Sequence, residues 1–290
     1  MALSNPVEIR LSTGRLELAA RHWGNPAAEP VLAIHGWLDN AASFDFLLPH
    51  FDLERYQVVA LDLPGHGWSD HRPPGESYHL LEYVRDIVAA VETLGWTNYR
   101  LLGHSLGGSL AMLAACAYPE RIRQLVLLDA LGPLTGPEEN GPALLRQALD
   151  KSIQGSSRMA SYPDFDAAVA ARQKGIGALS EDAAATIVER NLQQIEGGVK
   201  WRTDPRLRWP SYQRMTEGQV AAYLKAIQCP TLLIAGEQGM LKPGHPRMES
   251  RLACISNLRL EYVEGAHHLH MEPRPDLVAK LIMDFYAEPA

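Results

Sequence analysis

Apolar and polar positions along the first half of the chain follow two alternating patterns. Short apolar runs bounded by turn residues predict buried strands, and the longer amphipathic stretches between them predict helices. The strand pattern returns near the C-terminus. The predicted strands begin, in chain order, at Val7, Leu16, Val31, Gln57, Tyr99, Ile122, Pro230 and Leu258. Such alternation is typical of a parallel sheet covered by helices, so the sequence predicts an α/β fold.

Residues 134–227 depart from this alternation, and we call them the insertion. They predict helices only, in the stretches ALLRQALDKSI, FDAAVAARQ, EDAAATIVERNLQQI and EGQVAAYLKAI. The apolar runs on both sides belong to one sheet pattern. We therefore predict a helical cap, inserted into a core made of residues 1–133 and 228–290 and lying over the carboxyl ends of the strands, where parallel sheets bind ligands.

Composition excludes several classes of function and leaves the predicted fold unchanged. The formal net charge of −7 argues against a nucleic-acid partner, because phosphate binding needs clustered Lys and Arg. No apolar run approaches the length of a membrane span, and the N-terminus has no signal-peptide pattern, so we expect a cytoplasmic protein. The three cysteines lack metal-ligand spacing and are predicted to be core thiols. The oligomeric state stays open.

The stretch LLGHSLGGSL at residues 101–110 is the first candidate for chemistry. A G-x-S-x-G match alone is weak, but here a predicted strand leads into Ser105 and a predicted helix leads out of it. Gly103 and Gly107 would allow the strand and helix to approach closely around a strained turn. This setting exposes the serine at the sheet edge, so we predict that Ser105 is a nucleophile.

A serine nucleophile needs a base and a site for the oxyanion. After the third predicted strand, the turn at Gly36 would present the backbone N–H of Trp37, and the N–H of Leu106 begins the helix after Ser105. We predict these two groups as the oxyanion hole. The base is expected after the last strand, where the sequence EGAHHLHMEP offers three histidines.

With these motifs the chain resembles the α/β-hydrolase superfamily over almost its whole length. The motifs are HGW at 35–37, DLPGHGWSD at 62–70, GHSLGG at 103–108 and the histidine segment. The resemblance implies a mostly parallel eight-stranded sheet flanked by helices, a helical cap after the sixth strand, and nucleophile, acid and base in that order. Its G-x-H-x-x-H-x-E-like frame fits Gly265, His267, His270 and Glu272, which assigns the base to His267. A narrower match, WRTDPRL at 201–207, is similar to serine-hydrolase-like proteins.

The acid departs from the commonest family pattern. Many members carry G-E-x-D after the seventh strand, whereas this chain reads GEQG and has Gly239 in the place of the acid. A subset of the superfamily carries the acid after the sixth strand, where Asp129 ends VLLD. We predict Asp129 as the acid and keep Glu237 as the alternative.

The remaining polar residues of these motifs have simpler interpretations. We expect His268 and His270 to be structural, His35 and His66 to hold loops, and His104 to pack in the core. An arginine cluster in the insertion is expected to be a solvated face, with a clamp on a substrate carboxylate as the alternative. Its members are Arg202, Arg206, Arg208 and Arg214.

Together these residues predict a serine hydrolase that acts on a small to medium carboxylic ester through Ser105, His267 and Asp129. No cofactor or metal ion is expected. Ser105 argues against haloalkane dehalogenase and epoxide hydrolase chemistry, for which family members use an aspartate nucleophile. Cleavage of thioesters or carbon–carbon bonds by the same triad remains an alternative, and so does a non-catalytic ligand-binding protein, because the acid after the seventh strand is missing.

Overall fold

The computed structural model describes residues 5–155, 159–175 and 177–289. The strands are β1 (Val7–Ser12), β2 (Glu17–Trp23), β3 (Glu29–Ile34), β4 (Tyr56–Leu61), β5 (Tyr99–His104), β6 (Ile122–Leu128), β7 (Ser161–Tyr162), β8 (Leu192–Ile195), β9 (Gly198–Trp201), β10 (Thr231–Gly236) and β11 (Leu258–Val263). The helices are α1 (Leu80–Leu94), α2 (Leu106–Ala117), α3 (Gly141–Gln154), α4 (Phe165–Gln173), α5 (Glu181–Asn191), α6 (Glu217–Lys225), α7 (Pro246–Leu252) and α8 (Pro275–Ala287).

Eight strands form one sheet in the order β1-β2-β4-β3-β5-β6-β10-β11. The first two pairings, β1 with β2 and β2 with β4, are antiparallel, and the pairings from β4 to β11 are parallel. Each of these eight strands begins close to its predicted position. The predicted fold class, a mostly parallel eight-stranded sheet flanked by helices, is confirmed.

The central strands are buried on both faces because helices cover both sides of the sheet. Along β3, Leu32 and Ile34 face a core that α1 and α2 cover, whereas Val31 and Ala33 face a second core under α8. Strands with two buried faces read as continuous apolar runs rather than as alternating ones. This explains why the pattern of the sequence predicted these strands well.

The order of the strands brings the predicted site residues to one edge of the sheet. Strands β3, β5, β6 and β10 are neighbours and run parallel, so the residues that follow them meet at their common carboxyl ends. Trp37 follows β3, Ser105 follows β5, Asp129 follows β6 and Gly239 follows β10. His267 lies in the loop after β11. This edge is where open parallel sheets place their ligands.

The insertion contains helices α3–α6 but also a small antiparallel sheet in the order β7-β9-β8. The expectation of helices alone is therefore wrong. In the stretch EDAAATIVERNLQQI, which was predicted as one helix, α5 ends at Asn191 and the remaining residues belong to β8. Strands β8 and β9 form a hairpin in which Ile195 pairs with Gly198. Gly197 and Gly198 adopt φ values of 79° and 152°, which glycine tolerates and which make the tight turn.

Candidate active site

Ser105 lies at the turn between β5 and α2 in a strained backbone conformation. Its φ of 53° and ψ of −115° are outside the regions that residues with side chains favour. Nearby glycines permit the turn, because a Cβ on Gly103 would lie 2.5 Å from the carbonyl oxygen of Gly107. A Cβ on Gly107 would lie 2.0 Å from the carbonyl oxygen of Ile34. The close approach of strand and helix therefore depends on glycine and leaves the Ser105 side chain at the sheet edge.

The structure brings His267 and Asp129 to Ser105. The distance from His267 Nε2 to Ser105 Oγ is 2.8 Å, and that from His267 Nδ1 to Asp129 Oδ2 is 2.6 Å. An ionised carboxylate only accepts hydrogen bonds, so the hydrogen on the ring lies on Nδ1. This tautomer leaves the lone pair of Nε2 pointing at the serine hydroxyl. The imidazole can therefore receive the proton of Ser105.

Asp129 takes the space of the acid that is missing after β10. Its side chain is fully buried and accepts hydrogen bonds from the N–H groups of Met240, at 2.7 Å, and Leu241, at 3.2 Å. A Cβ on Gly239 would lie only 2.5 Å from Asp129 Oδ1. Any side chain at position 239 would collide with the carboxylate. The alternative acid, Glu237, is exposed at the surface.

The segments that carry the two predicted oxyanion donors pack against each other at the elbow. Leu106 is the first residue of α2, and the contact between Gly107 and Ile34 holds the start of this helix against the end of β3, just before Trp37. Within the described residues, no hydrogen bond uses the N–H of Trp37 or of Leu106. The Trp37 indole is engaged elsewhere, because its Nε1 donates to the carbonyl of Leu207 in the insertion at 3.2 Å.

Two of the other histidines hold the loops beside the site. His35 Nε2 accepts the N–H of Leu63 at 3.0 Å, and His66 Nε2 accepts the N–H of Leu38 at 3.2 Å. Burial lowers the pKa of His35 to about 4 and the pKa of His66 to about 3, so both rings are neutral at physiological pH. A neutral ring can accept these backbone hydrogen bonds, as the loop-holding interpretation requires.

The three remaining histidines of the site form a buried cluster. His104 Nε2 contacts the carbonyl oxygen of His267 at 2.9 Å, and His268 Nε2 lies 3.3 Å from Asp39 Oδ2. The ring of His270 packs between those of His104 and Phe44, with centroid distances of 4.3 and 5.4 Å. Burial lowers the pKa of His270 to about 3, so it is a neutral core residue.

Sequence reasoning assigned no role to Asp39, which is fully buried beside this cluster. Asp39, His104 and His268 are residues of metal-ligating types, and their ligand atoms lie within 4.8 Å of one another. However, the guanidinium of Arg172 from α4 already lies 2.8 Å from Asp39 Oδ1. This group supplies the positive charge that the carboxylate needs, and it would repel a metal ion. The arrangement is therefore accounted for by an ion pair between the insertion and the core.

Two of the four arginines of the cluster form hydrogen bonds within the protein, whereas Arg208 and Arg214 are exposed. Arg206 contacts Asp204 and three backbone carbonyls, and Arg202 donates to the carbonyl of Leu192 at 3.0 Å. Arg208 instead lies over the Trp37 ring, with its Cζ 6.0 Å from the centroid. Arg202 and Arg206 therefore stabilise the insertion rather than form a solvated face.

None of the helices in the described ranges is long and apolar enough to cross a membrane.

Comparison with known proteins agrees with this architecture. The sequence profile of the α/β hydrolase fold family matches residues 29–273. A serine hydrolase-like protein of Dictyostelium discoideum is 31% identical over 92% of this chain and 77% of its own. The crystal structure of a hypothetical protein from Pseudomonas aeruginosa PAO1 has a TM-score of 0.91 and 40% identity, covering 97% of this chain and 99% of that one. A thioesterase domain from the curacin biosynthetic pathway has a TM-score of 0.85 and 28% identity, with coverages of 96% and 99%. The chain belongs to the α/β-hydrolase fold family.

Proposed function

We propose that the protein is a serine hydrolase that cleaves carboxylic esters of small to medium size. One observation carries the proposal: Ser105, His267 and Asp129 form a continuous chain of contacts of 2.8 and 2.6 Å beside a strained elbow. Groups in this order can pass a proton from the serine to the histidine while the carboxylate fixes the ring.

The reaction proceeds in two halves. In the first, Ser105 Oγ forms a bond to the ester carbonyl carbon while its proton moves to His267 Nε2. The bond to the alcohol oxygen then breaks, and that oxygen leaves with the proton from His267. In the second half, water attacks the acyl-enzyme, His267 accepts the water proton, and the proton returns to Ser105 as the acid departs.

Two features would stabilise the charges that develop. The N–H groups of Trp37 and Leu106 would bind the oxyanion, with the N-terminus of α2 adding a favourable dipole. Asp129 would stabilise the imidazolium of His267. In mutated hydrolases of this type, loss of one oxyanion donor costs about 10²–10³-fold in kcat.

The substrate class follows from the insertion, which we propose acts as a cap over this edge of the sheet. Trp37 bonds to the backbone of Leu207, so the insertion contacts the loop that would bind the oxyanion. A roof close to the nucleophile favours compact acyl groups. Thioesters are the second candidate, supported by the similarity to a thioesterase domain at 28% identity. The contact of Asp129 with His267 argues against a non-catalytic protein, since a missing acid motivated that alternative.

Labelling with a fluorophosphonate probe, followed by assays on aryl esters of graded chain length, tests the proposal. We expect the wild-type protein to be labelled and Ser105→Ala to lose about 10⁴–10⁶-fold in kcat without unfolding. Ser109→Ala is the matched control, because Ser109 lies on α2, the helix that follows Ser105, and is buried. Retention of a third of the activity by Ser105→Ala would show that another residue is the nucleophile.

A further inference from the structure

Asp39 is a buried carboxylate that the proposed reaction does not use. It accepts a hydrogen bond from Arg172 at 2.8 Å and lies 3.3 Å from His268 Nε2. Burial raises the pKa of the Asp39 carboxyl, but His268 and Arg172 outweigh this effect and hold the pKa well below its usual range. Asp39 is therefore an anion inside the protein, and its charge depends on a cation that comes from the insertion.

The contacts of this ion pair lead directly to the proposed base. His268 follows His267 in the chain, so the pair Asp39–Arg172 holds the side chain next to the base. From the other side, His104 Nε2 donates to the carbonyl oxygen of His267 at 2.9 Å. The peptide between His267 and His268 is thus held at both ends. Rotation of this peptide would move the imidazole of His267 away from Ser105 and Asp129.

The insertion touches the histidine segment at further points. A Cβ on Gly177 would lie 2.5 Å from His268 Cε1, so the chain after α4 packs directly against that ring. The backbone N–H of Ser180 lies 3.1 Å from both carboxylate oxygens of Glu272, at the end of the same segment. Arg172, Gly177 and Ser180 therefore contact both halves of the loop that carries the base.

We propose that three residues of the insertion, Arg172, Gly177 and Ser180, form a clamp that positions His267, and that Arg172 and its partner Asp39 are the positioning residues. The inference rests on the proposed role of His267 as the base. In this arrangement the insertion acts on the chemistry as well as on substrate selection. A displacement of about 1 Å in a catalytic group can cost about 100-fold in rate, so loss of the clamp should lower kcat.

The test compares Arg172→Gln, Arg172→Lys, Asp39→Asn and the double variant Arg172→Gln/Asp39→Asn. We expect Arg172→Gln to lower kcat on an aryl acetate by about 10- to 100-fold, with KM changed less than about threefold. Labelling by the fluorophosphonate should slow in parallel, because this small probe reports activation of Ser105 by His267. Arg172→Lys keeps the positive charge and should recover part of the loss. The double variant should be no worse than Asp39→Asn alone, since the two residues act as a pair.

Arg190 supplies the matched control for a merely structural role. It lies on α5 of the insertion, is as buried as Arg172 or more, and pairs with Asp62 at 2.9 Å and Glu8 at 2.7 Å, away from the histidine segment. We expect Arg190→Gln to lower the thermal midpoint as much as Arg172→Gln does, while kcat per fluorophosphonate-titrated site stays within about twofold of wild type.

An unchanged kcat per titrated site in Arg172→Gln, or equal losses in Arg172→Gln and Arg190→Gln, would overturn the clamp. If Arg172→Gln does not fold, the isosteric Asp39→Asn decides by the same measure, and a kcat within twofold of wild type overturns the inference. Failure of the proposed function looks different, because the wild-type protein itself would then not be labelled.

Discussion

Two buried aspartates flank the histidine segment 265–272, and they differ in what compensates their charge. Asp129 accepts backbone N–H groups and contacts His267, and among the described residues no guanidinium or ammonium group forms an ion pair with it. Asp39 instead pairs with the guanidinium of Arg172 and lies near His268. Backbone N–H dipoles stabilise the Asp129 carboxylate, whereas the full positive charge of Arg172 neutralises the Asp39 carboxylate.

This difference decides what each histidine can do. A positive charge that forms on His267 would face a carboxylate without another cation, and the attraction would be strong in a buried site. The ring of His268 instead contacts Asp39 and Arg172, the two members of an ion pair. Arg172 Nη2 lies 3.3 Å from His268 Nε2, so this ring is held by the ion pair rather than by Ser105. Two adjacent histidines, each beside an aspartate, are therefore suited to different tasks: proton transfer and positioning.

Separate replacement of His267 and His268 should give the largest difference in kcat between two variants. We expect His267→Ala to lose about 10⁴–10⁶-fold in kcat, because the group that accepts the proton from Ser105 and passes it to the leaving alcohol is lost. His268→Ala removes only a positioning contact and should stay within about 100-fold of wild type. The measurement is kcat on an aryl ester, with circular dichroism to verify the fold. A folded but inactive His268→Ala beside an active His267→Ala would reverse the two tasks.

Removal of the negative charge from Asp129 should have the next largest effect on kcat. Asp129→Asn would place an amide donor beside His267 and favour the wrong tautomer, which should lower kcat by up to about 10⁴-fold. Glu237→Gln is the control, because Glu237 is exposed, and it should cost less than about threefold. Both values come from steady-state kinetics at saturating ester. The opposite ranking would move the acid to the strand β10, and two mild effects would favour a non-catalytic protein.

The sequence predicted the sheet and the residues around Ser105 because local patterns determine them. A buried parallel strand is a continuous apolar run, and an elbow is a glycine-flanked serine between a strand and a helix. Asp129 was predictable as the polar end of such a strand. The roles of Ser105, His267 and Asp129 stay predictions, although the structure places them in contact.

Features that depend on distant residues were not predictable in the same way. Arg172 and Asp39 are 133 positions apart, and only the docking of the insertion onto the core brings them together. The β8–β9 hairpin was missed because its strands have four residues each and follow a helix without a break. The pair Gly197–Gly198 was the feature of the sequence that could have indicated the turn of this hairpin. The reason for glycine at position 239 also required the structure. The sequence shows that the usual acid is missing there, but it does not show that the Asp129 carboxylate fills the space of a side chain at that position.

Exchange of the residues at positions 129 and 239 would test that shared space. Asp129→Gly removes the acid without strain, because glycine tolerates the φ of 46° at this position. Adding Gly239→Asp would then bring a carboxylate to the same volume from β10. We expect the double variant to exceed Asp129→Gly in kcat by at least about 10-fold, since it restores a partner for His267. Gly239→Asp alone should fold poorly, because two carboxylates would compete for one space.

The smallest effect is expected at Trp37, where the proposed donor belongs to the backbone. Trp37→Phe keeps the N–H that would bind the oxyanion but removes the indole hydrogen bond to Leu207. One neutral hydrogen bond contributes about 0.5–1.5 kcal/mol, so we expect a modest fall in the thermal midpoint and a change in KM through the insertion. Because the oxyanion donor persists, kcat should stay within about threefold of wild type. A fall of 100-fold or more in kcat, with the fold intact, would mean that the indole itself takes part in the chemistry beside Ser105, His267 and Asp129.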